Sequence, residues 1–331
     1  MKGTKNKKTF CKVPAYHDSD IKKTGRFMFR VRQQIGCEGI NRLVSGQNMG
    51  CSIGVLDTGV APHPDLATNI LAFKDFVNQR QQAYDDSGHG THVCGIACGN
   101  GTLSNGRYRG IAPGTKLVVG KVLDHEGNGN IENMIEGIKW IIEKRKAYQI
   151  RILNVSIGVG EIQDKTRQES LIKWLGNAWD AGILVVCAAG HRGPEQDTLS
   201  PIGRGARVIT VGCHDGEYFK DKPGRCETYS GRGSIRSSLR KPDLVAPGTE
   251  IMSCNAACTR RKGRYINAYI KKSGTSMATP IVSGALALYL SAHLECDNDM
   301  ARKRLLYSAT DLGEPWYKQG YGMVNIGRLM E

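Results

Sequence analysis

Five short apolar runs, each closed by turn residues, limit most strongly how this chain can fold. CSIGVLD (51–57), KLVVGKVL (116–123), IRILNVSIG (150–158), GILVVCAAG (182–190) and ARVITVGC (206–213) are rich in Val and Ile and do not alternate with polar positions. That is the pattern of strands buried on both faces, as in a parallel sheet. Segments of helical period lie between them. In IENMIEGIKWIIEKRKAY (131–148), Ile131, Met134, Ile135, Ile138, Ile141 and Ile142 share one stripe; 166–180 carries Leu171, Ile172, Trp174, Leu175 and Trp179. Strand then helix, repeated, predicts an α/β fold: a central, mostly parallel sheet with helices on both faces. With no internal repeat and no low-complexity linker, a single domain over 41–331 is expected, preceded by a basic extension over 1–40. In such sheets functional groups gather at the carboxyl ends of the strands.

Charge and cysteine content narrow the class. Lys+Arg number 46 against 31 Asp+Glu, a net +15. Residues 1–33 hold ten of the basic residues against Asp18 and Asp20, and TRRKGRYINAYIKK (259–272) holds six with no acid. Such runs suit a solvated surface or an anionic partner. No nucleic-acid motif accompanies them, so nucleic acid is not an expected partner. No 18-residue apolar stretch predicts a membrane span, and the basic start lacks the apolar segment of a secretory signal. The eleven cysteines follow no framework spacing, and Cys94, Cys187 and Cys213 sit inside apolar runs. Small packing thiols in a reducing, cytoplasmic setting are expected. Two CxxxC pairs, Cys94/Cys98 and Cys254/Cys258, lack the second paired set of a zinc site.

The chemistry-bearing residues fall at element boundaries. Asp57 closes the first strand run. Ser276 opens the long apolar helix within 271–294, where free N–H groups favour a developing negative charge; Pro280 lies near enough to its start to be tolerated. The stretch DDSGHGTH (85–92) carries His89 and His92, whose spacing alone allows a metal pair or a general base. Acyl transfer needs a serine, an imidazole to take its proton, and a carboxylate to fix the imidazole.

Three segments combine these groups. VLDTGVAPHPDL (55–66), SGHGTHVCGIA (87–97) and SGTSMATPIVSGALAL (273–288) resemble the signature segments of the subtilisin-like serine proteases, the subtilase family, in the chain order Asp, His, Ser. YRGIAP (108–113), KVLDHEGNG (121–129), NVSIGVG (154–160) and KPDLVAPG (241–248) extend the likeness over roughly residues 45 to 328. In character it is nearest the cytoplasmic, AprX-like group. The resemblance implies a single subtilisin-like domain and a serine endopeptidase acting on protein or peptide. In it Asp57 would orient the imidazole, His89 would be the base and acid, and Ser276 the nucleophile. His92 is then expected to be a packed or hydrogen-bonded structural residue, and zinc at HGTH is not expected. No cofactor is required for this chemistry, and the oligomeric state stays open.

The pattern departs at CAAGHRGP, where His191 stands at the position at which the family places an oxyanion-binding asparagine. The backbone N–H of Ser276 would be the other donor. A neutral tautomer or an imidazolium could replace the amide; the hole could be weakened; or the chain could be a catalytically weakened subtilase-fold protein with a binding or regulatory role. An imidazolium would add an acid-favouring ionisation that His191→Asn removes. By the same resemblance Gly127, Asn128, Gly129, Ser156, Ile157 and Gly158 would pair with an extended peptide. Arg192 would border the pocket for the residue before the cleaved bond, disfavouring Lys or Arg there. Asp65 matches a frequent calcium ligand, so a structural calcium ion is possible, although CGNGTLSNGRYRG (98–110) replaces the usual neighbouring loop. KVPAYH (12–17) resembles the short extension with which intracellular relatives cover their active site.

Overall fold

The computed structural model describes residues 27–40, 50–158, 164–219 and 223–331. Seven parallel strands form the central sheet: β1 (Ser52–Asp57), β2 (Ile70–Asp75), β3 (Lys116–Lys121), β4 (Ile150–Val155), β5 (Leu184–Ala188), β6 (Ile209–Cys213) and β7 (Leu244–Ala246). Their spatial order is β2-β3-β1-β4-β5-β6-β7. The chain therefore leaves β1 toward one edge and later returns to build toward the other. Crevices at the carboxyl ends of strands open at such a reversal, and Asp57 ends the strand beside it.

The helices are α1 (Phe27–Gln34), α2 (His89–Cys98), α3 (Ile131–Lys144), α4 (Lys165–Asp180), α5 (Thr275–Ala292) and α6 (Asn298–Ser308), followed by two short ones at Trp316–Gln319 and Ile326–Met330. Because successive strand residues face opposite sides, β1 sends Ile53 and Val55 to one layer and Leu56 to the other. Val93 and Ile96 of α2 and Ile281, Val282 and Leu286 of α5 cover the first face. Ile138 and Ile141 of α3 with Leu171 and Leu175 of α4 cover the second. The expected α/β architecture, helices on both faces, is the one observed. Helix α3 opens on Asn130, whose side chain accepts from Asn133 N at 2.7 Å. Helix α5 is long and apolar enough to cross a membrane, but Thr275 to Ser291 are all buried inside the protein, which makes it a core helix.

Two stretches have structure that their sequence did not announce. Residues 27–40 are not peripheral: Met28, Val31 and Ile35 enter the core, Arg32 Nη1 donates to Gly110 O at 2.7 Å, and Ile326 N donates to Ile35 O at 2.7 Å. An apolar stripe on α1 explains the docking; KVPAYH (12–17) lies outside the described residues. The basic run 259–272 is an ordered ribbon. Strand β8 (Ile251–Cys254) pairs antiparallel with β11 (Tyr269–Lys272), and between them β9 (Thr259–Arg261) and β10 (Arg264–Ile266) form a projecting hairpin.

Candidate active site

Asp57, at the end of β1, is fully buried. Its Oδ1 accepts from Thr58 N at 2.8 Å and pairs with His89 Nδ1 at 2.6 Å. A carboxylate cannot donate, so Nδ1 carries the proton and Nε2 is left as the acceptor. Burial depresses the His89 pKa, but the Asp57 charge and hydrogen bond outweigh it and hold the imidazole above its ordinary value.

His89 is the first residue of α2, and polar bonds hold it at that position. Gly88 precedes it in a left-handed conformation, φ 80°. Asp85 takes Thr58 Oγ1 at 2.8 Å and Gly88 N at 2.7 Å on Oδ1, and Thr91 N and Thr91 Oγ1 at 2.8 and 2.7 Å on Oδ2. Thr58 Oγ1 in turn accepts from Gly90 N at 2.9 Å. A Cβ on Gly90 would lie 2.1 Å from Gly59 O, so the strand exit and the helix start meet backbone to backbone. Lys121, fully buried, donates to Thr58 O at 2.7 Å, Leu123 O at 2.8 Å and Asp86 Oδ1 at 2.7 Å. Asp85, Asp86 and Lys121 were not singled out in the sequence. The only signal there is a pair of acids immediately before SGHGTH.

Ser276 is the second residue of α5 and is 5% exposed. Gly274 before it has φ 148°, which favours glycine, and α5 begins without a side-chain cap. A Cβ on Gly274 would lie 3.1 Å from His191 Nε2 and 3.7 Å from Ser276 N. The two expected oxyanion donors thus border one small space. The His191 ring stands edge-on to Tyr229, centroids 5.4 Å apart. Burial and the nearby His89 lower its pKa, which favours the neutral ring over the imidazolium. Helices α2 and α5 pack on the same face of the sheet, and Gly274, two residues before Ser276, lies beside His191.

The other expected residues divide. Gly127, Asn128 and Gly129 lie in an exposed turn closed by Asp124 N donating to Asn128 O at 2.8 Å. Ser156 is buried and accepts from Asn154 Nδ2 at 2.8 Å; Ile157 is buried and Gly158 exposed. Asn154 Oδ1 also accepts from Ser283 Oγ at 2.8 Å, tying β4 to α5 beneath Ser276, a link with no sequence signal. Arg192 is exposed beside His191.

His92 faces away from His89. Its Nε2 lies 3.0 Å from both Ile251 O and Ile270 O, and burial drives its pKa down to about 3. It is a structural histidine, and the HGTH metal pair does not form. Asp65 is likewise engaged by the protein. Its Oδ1 accepts from Leu103 N at 3.0 Å and its Oδ2 from Tyr269 O–H at 2.6 Å. His63 and Cys254 lie close by, but His63 Nδ1 accepts from Asp65 N at 3.1 Å and Nε2 lies 2.8 Å from Ala268 O. One acceptor site on each Asp65 oxygen is thereby taken by a protein donor.

The chain is similar to known proteins over most of its length. A model described as the Subtilase family matches residues 48–324. Serine protease AprX of Bacillus subtilis (strain 168) is 38% identical over 79% of this chain, which spans 61% of that relative's length. The thermostable alkaline protease of Halalkalibacterium halodurans is 34% identical over 88% of this chain and 70% of its own. Among solved structures Sphericase superposes with a TM-score of 0.71 at 27% identity, covering 87% of this chain and 97% of its own.

Proposed function

The chain belongs to the subtilase family, and on that premise we propose that it is a serine endopeptidase that cleaves proteins or peptides through an acyl-enzyme on Ser276. The reading rests on one observation above the others, the 2.6 Å pair of Asp57 Oδ1 with His89 Nδ1. It leaves Nε2 as the base. In the first half-reaction His89 takes the Ser276 proton as Oγ attacks the scissile carbonyl. The oxyanion would lie between Ser276 N–H and a neutral His191 N–H. His89 then protonates the leaving amine, and a water repeats the sequence to release the acid. The turn at Gly127–Gly129 and the segment Ser156–Gly158 would flank the bound peptide, and Arg192 would border the residue before the cut.

The setting is proposed to be a reducing compartment. Support comes from the ten described cysteines, all free thiols and nine of them buried as packing groups. Labelling with a fluorophosphonate tests the reaction class. Wild-type protein should become labelled at Ser276 and the Ser276→Ala variant should not; wild-type protein that resists the reagent would instead favour a binding role for a weakened site.

A further inference from the structure

The β9–β10 hairpin is built to hold positive charge in solvent. Its two turn residues, Lys262 and Gly263, both have positive φ (48° and 78°), the conformation that suits a tight two-residue hairpin. Arg261 pairs directly opposite Arg264, and all six strand residues are exposed. Like charges facing each other across a strand pair are destabilising, and no described carboxylate pairs with Arg260, Arg261, Lys262 or Arg264. An anionic ligand would relieve the repulsion.

The hairpin stands beside the reaction centre. A Cβ on Gly88, the residue before His89, would lie 3.4 Å from the Cβ of Ala256 at the hairpin base. At the other end of the insertion Lys272 closes β11, four residues before Ser276, and its charge acts on His89. The β8–β11 ribbon packs on α2, where a Cβ on Gly95 would meet Ser253 Oγ at 2.3 Å. The segments expected to pair with an extended substrate follow β3 and β4 and sink Leu123 and Ile157 into the opposite layer. His89 opens α2 on the ribbon's side of the sheet and meets Asp57 at the end of β1. Since His89 must protonate the leaving amine, a chain that enters over β3 and β4 leaves toward the hairpin.

We infer that the hairpin 259–266, with Lys272, is a docking surface for acidic residues on the leaving-group side of the substrate. This rests on the peptidase reading above. The chemistry selected is an extended peptide with Asp or Glu in the several positions after the cleaved bond.

The test uses the full chain and two fluorogenic peptides, identical before the bond and carrying either Asp/Glu or Ser/Gln after it. A peptide anilide with nothing peptidic after the bond serves as reference. Relative to the anilide, wild type should cleave the acidic peptide with about tenfold higher kcat/KM than the neutral one at low salt. The preference should collapse near 1 M salt, where the screening length is only about 3 Å. Arg260→Ser/Arg261→Ser/Arg264→Ser should abolish it, and so should Arg261→Glu alone, which sets opposite charges across the strands and cannot weaken the hairpin by repulsion. Anilide cleavage with equal rates on both peptides overturns the docking surface and leaves the peptidase. Fluorescence anisotropy that shows hairpin-dependent binding of the acidic peptide, with no substrate cleaved, overturns the peptidase and leaves the surface. Equal peptide rates with hairpin-dependent retention of a single-stranded oligonucleotide would reassign the surface to nucleic acid and also overturn the proposal.

Discussion

A neutral imidazole at position 191 offers one N–H, and which ring nitrogen carries it decides whether the oxyanion is served. Nε2 borders the space beside Ser276 N, so the Nε2–H tautomer is the useful one. His191→Ala should lower kcat on a fluorogenic peptide by about 10²- to 10³-fold, the usual cost of one oxyanion donor, while His191→Asn should retain or raise it. An alanine variant with undiminished kcat would remove His191 from the hole. The pH–rate profile follows from two opposite shifts. The active form of His89 is neutral, and Asp57 holds its pKa above the ordinary value against burial, so kcat/KM should fall with acid starting above about pH 6.5. His191 is shifted downward from its ordinary value, so it adds no second ionisation where that limb begins. The acid limb should therefore keep a slope of one, unchanged in His191→Asn. A fall in rate toward higher pH in wild type that His191→Asn abolishes would restore the imidazolium. Asp57→Asn should move the limb to lower pH and cost about 10⁴-fold in rate, because the attraction and the tautomer are lost together.

At the scale of elements, the site depends on how β1, α2 and β3 are tied where they end. Lys121→Met removes the donor to Thr58 O and Leu123 O and leaves both carbonyls without that partner. A loss of about 3 kcal/mol is expected from two such groups at roughly 1–3 kcal/mol each. It should appear in urea unfolding together with a fall in kcat, since Thr58 adjoins Asp57; a variant of full stability and activity would show the bonds to be incidental. No run of residues announced this knot. Strands β1, β3, β4, β5 and β6 were legible because strands buried on both faces are continuously apolar. Edge strand β2, ILAFKD, is half-exposed, and β7 has three residues, so neither stands out from loop. The β9–β10 hairpin lacked any apolar alternation, and its charge made it read as solvated surface. The residues of the proposed triad were legible through family motifs. Asp85, Lys121 and Asn154 open the segments DDSGHGTH, KVLDHEGNG and NVSIGVG, but their roles were not legible, because a buried polar residue's value lies in partners that the fold alone brings to it.

At the scale of the molecule, the amino-terminal region divides into parts with opposite expected effects. Helix α1 buries Met28, Val31 and Ile35 against the core, each stabilising by roughly 1.5–3 kcal/mol. Their sum approaches the whole stability of about 5–15 kcal/mol that domains have. Arg32 and the Ile35 carbonyl add bonds to Gly110 and Ile326, so α1 connects the loop after α2 with the final helix. Deleting residues 1–40 should leave a protein that unfolds well below the wild-type temperature or does not accumulate in folded form. Deleting residues 1–20 spares all of these contacts and should leave the unfolding temperature unchanged. If the segment containing KVPAYH covers the cleft, as proposed from its resemblance, that shorter deletion should also raise the rate of peptide hydrolysis and of fluorophosphonate labelling. Thermal unfolding separates the two roles from each other, and labelling separates inhibition from a passive arm. A shorter deletion with unaltered labelling would remove the inhibitory role, and a longer deletion as stable as wild type would show that the core closes without α1.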